Sequence, residues 1–351
     1  VIPDVSVVVV SHRTAQESIA CAVSVRGEFG RSNLSGEIVL VDCDSGREEQ
    51  KRLRKAEPDT LVLLSENRGY SGGINAGLAR ARASLLVLCN ADVVFSRGSL
   101  APLVAAGSRT GTGAAGPLCT WDSGGRIRMP PGFAPGFFRD FLQLSTGRSR
   151  RMDDRRFAAF ARRTLRLWSG GGAVDNLTGA VLAVRREVFD RVGRFDERFL
   201  LEYEETEWEE RVRGAGLELR YEPRALVRHL YARSAARNAE AAAKRATSRR
   251  LYTHRRYGRF GSRLLDLAPL LARPVSMSPI EQPVVSRRAG AWLAISPNPS
   301  LLPFAGVDLE EEDFSLPDEI RSSLALGRLY LRVFRAADGS PLETVFWENV
   351  A

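Results

Sequence analysis

No stretch of this sequence stays apolar for long. Its longest purely apolar runs are strand-sized, whereas a bilayer-spanning helix needs about 20 residues, so no membrane span is expected. Cysteine is scarce. Cys21, Cys43, Cys89 and Cys119 are scattered without the paired spacing of a metal site, and Cys43 and Cys89 sit in or beside apolar runs. Reduced thiols in a cytosolic protein are the simpler reading. Lysine is nearly missing, so almost every basic residue is Arg, a bias that a GC-rich genome explains as well as function does. There is no internal repeat and no recognised nucleic-acid-binding motif, and the opening Val1-Ile2-Pro3-Asp4 lacks the charged-then-apolar order of a signal peptide. The expectation is a cytoplasmic protein, with the inner face of the membrane as its one peripheral contact.

What is present fits a globular chain. The 351 residues are 44% hydrophobic and 26% charged, enough for one large core and something smaller. The net charge of +9 is uneven. Arg228 to Arg263 holds eleven basic residues against one Glu, and Leu301 onward holds ten acidic residues against four arginines. A basic segment suits phosphates, anionic lipids or nucleic acid, and equally a solvated face.

Strand-like and helix-like segments alternate through the first half. Val5–Val10, Glu37–Asp42, Thr60–Leu64 and Leu85–Phe95 read as strands, with helices over Gln16–Val25 and Gly46–Ala56. Gly69-Tyr70-Ser71-Gly72-Gly73 reads as a Gly-rich turn running into a helix over Leu78–Ala83. That alternation predicts a parallel, doubly wound sheet. Further on, Ala114–Leu118 and Asn176–Val184 have strand character. Trp121–Gly136 is irregular, and Arg139–Arg166 is Arg-rich and weakly periodic, a mobile loop or surface helix. Glu204 opens an amphipathic helix, with Trp208 and Val212 four apart. Leu217–Tyr221 and Ala225–Val227 read as short strands, and Ala235–Leu251 as a strong helix former. Leu329–Phe334 and Leu342–Trp347 flank Ala337-Asp338-Gly339-Ser340, a hairpin signal. This gives residues 1–265 as one domain and 266–351 as a small β-containing appendage.

Several features could carry chemistry, each with a plainer reading. Asp92 ends an apolar strand in Asn90-Ala91-Asp92, at the sheet edge where α/β proteins bind ligands, or it caps a turn. Asp42 also ends a strand, where many acids are merely solvated. The Gly-rich segment fits neither the dinucleotide fingerprint nor the P-loop pattern, and glycines before a helix also serve as a simple turn. His229 alone reads best as a satisfied histidine, and the Glu202–Glu210 cluster as a solvated helix face. Together these groups are what a site needs to hold a divalent metal on a diphosphate with a base beside it.

The order of the motifs resembles family-2 glycosyltransferases of GT-A fold, most closely the rhamnosyltransferase-like branch. The matching residues are Val7–Val10 with Ser11-His12-Arg13-Thr14, then Val41-Asp42-Cys43-Asp44-Ser45, then Glu66 to Gly77, then Asn90-Ala91-Asp92. Gly179 to Arg186, Gly193 to Phe199, Tyr203-Glu204-Glu205-Thr206-Glu207 and His229 complete the set. The likeness covers residues 1 to about 265.

The resemblance implies an α/β GT-A fold, a mostly parallel sheet flanked by helices. It implies inverting transfer of a sugar from a nucleoside-diphosphate sugar, UDP- or dTDP-linked, to a hydroxyl of a glycan or lipid-linked glycan. Ser11, His12 and Arg13 would line the nucleotide pocket, with Arg13 where the family usually has Asn. Asp42 would face the base or ribose, and Arg68, Gly73 and Asn75 would close over the nucleotide. Asn90-Ala91-Asp92 resembles the family's Asp-x-Asp motif with Asn in first place, leaving Asp92, joined by His229, to hold Mg²⁺ or Mn²⁺. Glu205 falls at the catalytic-base position, with one methylene more than the family's usual Asp, and Glu207 matches a further acid read as structural. A catalytically weak member that binds nucleotide or glycan within a cell-envelope polysaccharide assembly is the alternative. Binding of nucleic acid is the poorest reading.

Overall fold

The structure is a computed structural model, which describes all residues except 1, 133, 230–238, 276, 323, 325, 326, 350 and 351. The chain forms two compact units. The first takes Val1–Cys119, Pro131–Ala134 and Gly171–Tyr252, and the second takes Thr120–Pro130, Pro135–Gly170 and Thr253–Ala351.

The first unit begins with strict alternation: β1 (Val5–Ser11), α1 (Ala15–Ser32), β2 (Gly36–Cys43), α2 (Arg47–Leu53), β3 (Thr60–Leu64), α3 (Gly69–Leu78) and β4 (Leu85–Asn90). β3, β2, β1 and β4 lie side by side and parallel. Val5, Val7, Val8 and Val9 are wholly buried, as are Val39 and Leu40 and Leu86 to Cys89. A parallel sheet covered on both faces requires such continuous apolar strands.

Beyond β4 the chain adds β5 (Val93–Phe95), α4 (Leu100–Gly107) and β6 (Thr112–Thr120). After α5 (Phe137–Leu144) and α6 (Arg150–Gly170) come β7 (Gly172–Val174), β8 (Val181–Arg185), α7 (Arg186–Val192), α8 (Glu204–Gly214) and β9 (Glu218–His229). The sheet then runs β3-β2-β1-β4-β8-β6-β9-β5, with β7 also on β9. The parallel expectation holds for the first four strands. Every recorded pairing beyond them is antiparallel, which makes the sheet mixed.

Two local expectations change. The Gly-rich segment is itself the helix α3, not a turn, and Leu78 ends it. Its glycines let the helix approach the sheet: a Cβ on Gly73 would sit 2.5 Å from Val10 Cγ1, and one on Gly77 2.3 Å from Val8 Cγ1. The two short strands read over 217–227 are one strand, β9, with Pro223 inside it. Residues 219–221 pair with β7 and 227–229 with β5, so the proline, which has no N–H to donate, falls where the strand changes partners. The helix expected from 235 is described from Ala239 as α9 (Ala239–Leu267), broken at Gly258 (φ 69, ψ 174), and 235–238 lie outside the described residues.

In the second unit the Arg-rich stretch is helical, as α5 and α6. Phe157, Ala161, Thr164 and Trp168 form the buried stripe of α6 at steps of four, three and four. A single 3₁₀ turn, Ala268–Leu271, follows α9. Beyond it come β10 (Ser278–Ile280), β11 (Val284–Val285), β12 (Ala291–Ser296), β13 (Ala305–Asp308), β14 (Phe314–Ser315), α10 (Asp318–Arg321), β15 (Gly327–Arg335) and β16 (Pro341–Asn349). The expected hairpin is β15–β16, in a five-stranded sheet of order β10-β16-β15-β12-β13. Its core holds Leu293, Val307, Phe314 and Leu331, while Trp168 stacks on Trp292 with centroids 5.2 Å apart.

Candidate active site

Three parallel strands finish together. In the sheet register Ser11 lies beside Asp42, and Val10 beside Asn90, so the loops after β1, β2 and β4 open on one edge. This is the carboxyl edge, where open α/β sheets take their ligands. The backbone there is strained: Arg13 (φ 57) and Asp44 (φ 55) are left-handed without being glycine. The Arg13 N–H donates to Ser45 Oγ at 2.7 Å, and His12 Nδ1 lies 2.7 Å from the Cys43 carbonyl oxygen, tying the two loops together. Ser11 Oγ is 3.1 Å from Thr14 Oγ1. Asp42 is fully buried. Its Oδ2 accepts from the Ser45 N–H at 3.1 Å and from Gln50 Nε2 at 3.0 Å, while its Oδ1 has no hydrogen-bond partner among the described residues.

The pairing of β5 with β9 sets Val93 opposite His229 and brings the two expected metal ligands together. His229 Nε2 stands 3.2 Å from Asp92 Oδ1 and 3.5 Å from Asn90 Nδ2. Both residues are nearly buried, at 7% and 9% exposure. An imidazole nitrogen and a carboxylate oxygen so converged could supply two ligands to Mg²⁺ or Mn²⁺. Among the described residues no cluster of three or more His, Cys, Asp or Glu side chains forms a complete site.

The carboxylate pair Glu204–Glu205 opens α8 after a second strained turn, in which Glu202 (φ 64) and Tyr203 (φ 71) are both left-handed. Tyr203 stacks on Tyr252 with centroids 5.1 Å apart, and the Tyr252 hydroxyl donates to Glu210 at 2.7 Å. Both Glu204 and Glu205 carry a buried Oε2 with no hydrogen-bond partner among the described residues. Burial pushes the Glu205 carboxyl up to about 7, helped by the negative charge of Glu202. Burial, with the charge of Glu205 second, lifts Glu204 well above the carboxylate range.

Glu205 lies against Gly179, where an added Cβ would come within 3.0 Å of Glu205 Cγ and 3.2 Å of its carboxyl carbon. The bare glycine makes room for the Glu205 side chain. Next to it, the Asn90 N–H donates to the Ala180 carbonyl at 2.9 Å, which connects the base candidate to the Asn90–Asp92 segment. The Tyr70 hydroxyl donates to the Gly179 carbonyl at 3.0 Å.

The other residues expected near the nucleotide pack against the protein itself. Gly73 faces the sheet, packed on Val10 and Cys43. Arg68 pairs with Glu197, and Asn75 Nδ2 donates to Glu197 Oε1 and to the Phe195 carbonyl, each at 2.9 Å. Arg68 and Asn75 thus fix the 195–199 loop on α3. Glu207 pairs with Arg211 at 2.9 Å, one turn on, in keeping with a structural acid. Sequence reasoning gave no role to Tyr70, Gly179 or Glu209. Glu209 is fully buried, bonded to Asn176 and to the Leu177 N–H, and burial raises its carboxyl well above the usual range. Its signal in the sequence was the helical step from Glu205 to Glu209, one turn apart on the face that turns inward.

Residues 6–168 match the family profile described as "Glycosyl transferase family 2". Over that stretch the chain is similar to family-2 glycosyltransferases. An N-acetylglucosaminyl-diphospho-decaprenol L-rhamnosyltransferase of Mycobacterium tuberculosis, found in strains CDC 1551 / Oshkosh and ATCC 25618 / H37Rv, is 32% identical over 190 residues. The match covers 51% of this chain and spans 61% of the relative. Among solved structures, the mannosyltransferase PcManGT from Pyrobaculum calidifontis, in complex with GDP-Man and Mn²⁺, is 17% identical, with a TM-score of 0.49 over 77% of this chain and 70% of that one. GalNAc-T7 with UDP, GalNAc and Mn²⁺ is 19% identical, with a TM-score of 0.44 over 66% of this chain and 44% of that one. Superpositions this loose say nothing about donor, acceptor or metal. No described helix of the chain is long and apolar enough to cross a membrane.

Proposed function

We propose that this chain transfers a sugar from a nucleoside-diphosphate sugar to an acceptor hydroxyl with inversion, using the carboxyl edge of the first unit. The observation that carries the reading is Glu205, a carboxylate at the family's base position whose Oε2 is buried without a hydrogen-bond partner among the described residues, and whose carboxyl burial pushes up to about 7. A general base works best with its pKa near the working pH. Glu205 Oε2 takes the proton as the acceptor oxygen bonds to the anomeric carbon and the bond to the diphosphate breaks. Gly179 and Tyr70 keep the carboxylate in place.

Asp92 and His229 would hold the Mg²⁺ or Mn²⁺, whose charge would favour departure of the diphosphate. Asp42, whose Oδ1 has no hydrogen-bond partner among the described residues, would take a ribose or base donor group, and the loops of Ser11 to Arg13 would border the nucleotide. Residues 1 to about 265 would hold the donor, with 266–351 an appendage. The curated relatives are named for L-rhamnosyl transfer to N-acetylglucosaminyl-diphospho-decaprenol, so a dTDP- or UDP-linked donor and a glycan or lipid-linked acceptor form the first pair to try. A peripheral contact with the cytoplasmic membrane face goes with such an acceptor.

Thermal unfolding with UDP, dTDP, GDP and CDP, each with and without Mn²⁺, tests the donor site. A ligand at 100 times its dissociation constant adds about 2.7 kcal/mol, an easily read shift. A shift with one nucleotide that needs Mn²⁺ supports the reading. No shift with any of the four overturns it and leaves a member that has lost its donor.

A further inference from the structure

Within the second unit α5, the end of α9 and the 3₁₀ turn Ala268–Leu271 abut. α5 packs on the 3₁₀ turn, and Phe137 meets the Tyr257 ring edge-on with centroids 5.7 Å apart. Five of the eight residues of α5 are apolar, yet none is buried. Phe137 and Phe141 turn to the neighbouring aromatics, and Phe138 and Leu142, four apart, point away, at 79% and 37% exposure.

The two neighbouring elements do the same. Phe260 is 75% exposed, Leu267 54%, Leu270 79% and Leu271 43%. Twelve large hydrophobic residues are exposed among the described residues, and these three short elements hold six of them. Single exposed leucines are ordinary, but a concentration of this kind marks a surface that something covers.

The charges beside it decide what. Beyond the break in α9 at Gly258 (φ 69, ψ 174), its last turns expose Arg259 and Arg263, against Asp266 alone. Arg259 and Arg263 stand one turn apart, next to Phe260. Aromatic and aliphatic side chains on one side with arginines beside them form the pattern of a helix lying in a lipid interface, its apolar side among the acyl chains and its cations at the headgroups. A second copy of the same face would set arginine against arginine, which disfavours a symmetric dimer through it.

We propose that this face of the second unit docks on an anionic lipid bilayer, with Phe138, Leu142, Phe260 and Leu270 entering the interface and Arg259 and Arg263 at the headgroups. The docking stands on the second unit alone and does not depend on the transfer reaction.

Co-sedimentation of the full chain with vesicles tests it, using phosphatidylcholine alone and phosphatidylcholine with a third phosphatidylglycerol, at low and high salt. The wild type is expected to pellet with the anionic vesicles, weakly with neutral ones, and less as salt rises. Phe138→Ser with Leu270→Ser should weaken anionic binding at least tenfold. Arg259→Glu with Arg263→Glu should remove the preference for anionic lipid, at roughly fivefold or more per arginine. All four positions are exposed, so unchanged unfolding curves would certify the variants. Failure to pellet, equal binding to both vesicles, or variants that bind as the wild type does would overturn the proposal. So would a concentration-dependent dimer in lipid-free solution that Phe138→Ser dissolves.

Discussion

Glu37 and Glu205 are both glutamates drawn out of water at opposite edges of one sheet, and their surroundings treat them in opposite ways. At the amino edge, Glu37 starts β2 facing Ser6 and accepts from Ser6 Oγ, the Arg82 N–H and Arg82 Nε, each at 2.6 Å. Burial alone would raise its carboxyl, but these bonds and the charge of Arg82 together hold it below the usual range. At the carboxyl edge, Glu205 keeps a buried oxygen with no partner among the described residues, and burial lifts it to about 7. The first glutamate is spent on the fold. The second is costly to the fold, which is what a base awaiting a substrate proton looks like. Backbone strain divides the same way: Arg13, Asp44, Glu202 and Tyr203 are left-handed near the carboxyl edge, while Asn33 and Glu57 sit in ordinary helix-ending turns.

The sharpest way to break the comparison is Glu205→Gln. Transfer should fall by about 10²- to 10⁴-fold, the usual range for a general base, with nucleoside-diphosphate affinity within about twofold of the wild type. Equal loss of binding and turnover would make Glu205 structural. The same variant should unfold at higher temperature at pH 8. By linkage, the folded state holds the Glu205 proton up to about pH 7, whereas the unfolded state releases it near 4.5, so wild-type stability falls as pH rises through that window. The amide carries no such penalty.

Glu37→Ala should do the reverse. It removes three charge-assisted bonds and should cost about 2–3 kcal/mol in a denaturant titration, discounted because the Arg82 side chain can return to water. Turnover per folded molecule should be unchanged. A smaller effect is expected of Gly179→Ala, whose Cβ would press on Glu205 within 3.0–3.2 Å. A misplacement of a few tenths of an ångström should lower kcat about tenfold while leaving the unfolding midpoint within about 1 kcal/mol. The least change should come from Tyr70→Phe, which frees the Gly179 carbonyl at a cost of about 1 kcal/mol and a fewfold loss in kcat. A Tyr70→Phe enzyme with wild-type kcat would show that the carbonyl needs no anchor.

Much of this site was legible in the sequence because it lies at strand ends. Val7 to Val10, Val39 to Val41 and Leu85 to Leu88 are too apolar to be anything but buried strands, so Asp42 and Asn90 had to lie where those strands stop. The antiparallel half was less legible. β8 reads as any apolar strand, and nothing local in Val181 to Arg185 says which way it runs beside β4. The glycines of α3 misled because a turn and a close helix–sheet contact demand the same residue, and only the distance from Gly73 to Val10 separates them. α6 was obscured by its arginines, although Phe157, Ala161, Thr164 and Trp168 carry the helical step. The opposed carboxylates of Glu37 and Glu205 were not legible at all. The partners of the first lie 31 and 45 residues away, and the Oε2 of the second has none among the described residues.

The central claim is that Glu205 is pushed up to about 7 because the fold buries it and leaves its Oε2 without a hydrogen-bond partner among the described residues. ¹³C-carboxyl NMR of the protein labelled at glutamate, titrated from pH 4 to 9 and compared with Glu205→Gln, measures this directly. The account predicts a glutamate resonance with a midpoint near 7 that is missing from the variant. A Glu205 resonance that titrates near 4.5, as a solvated carboxylate does, would contradict it.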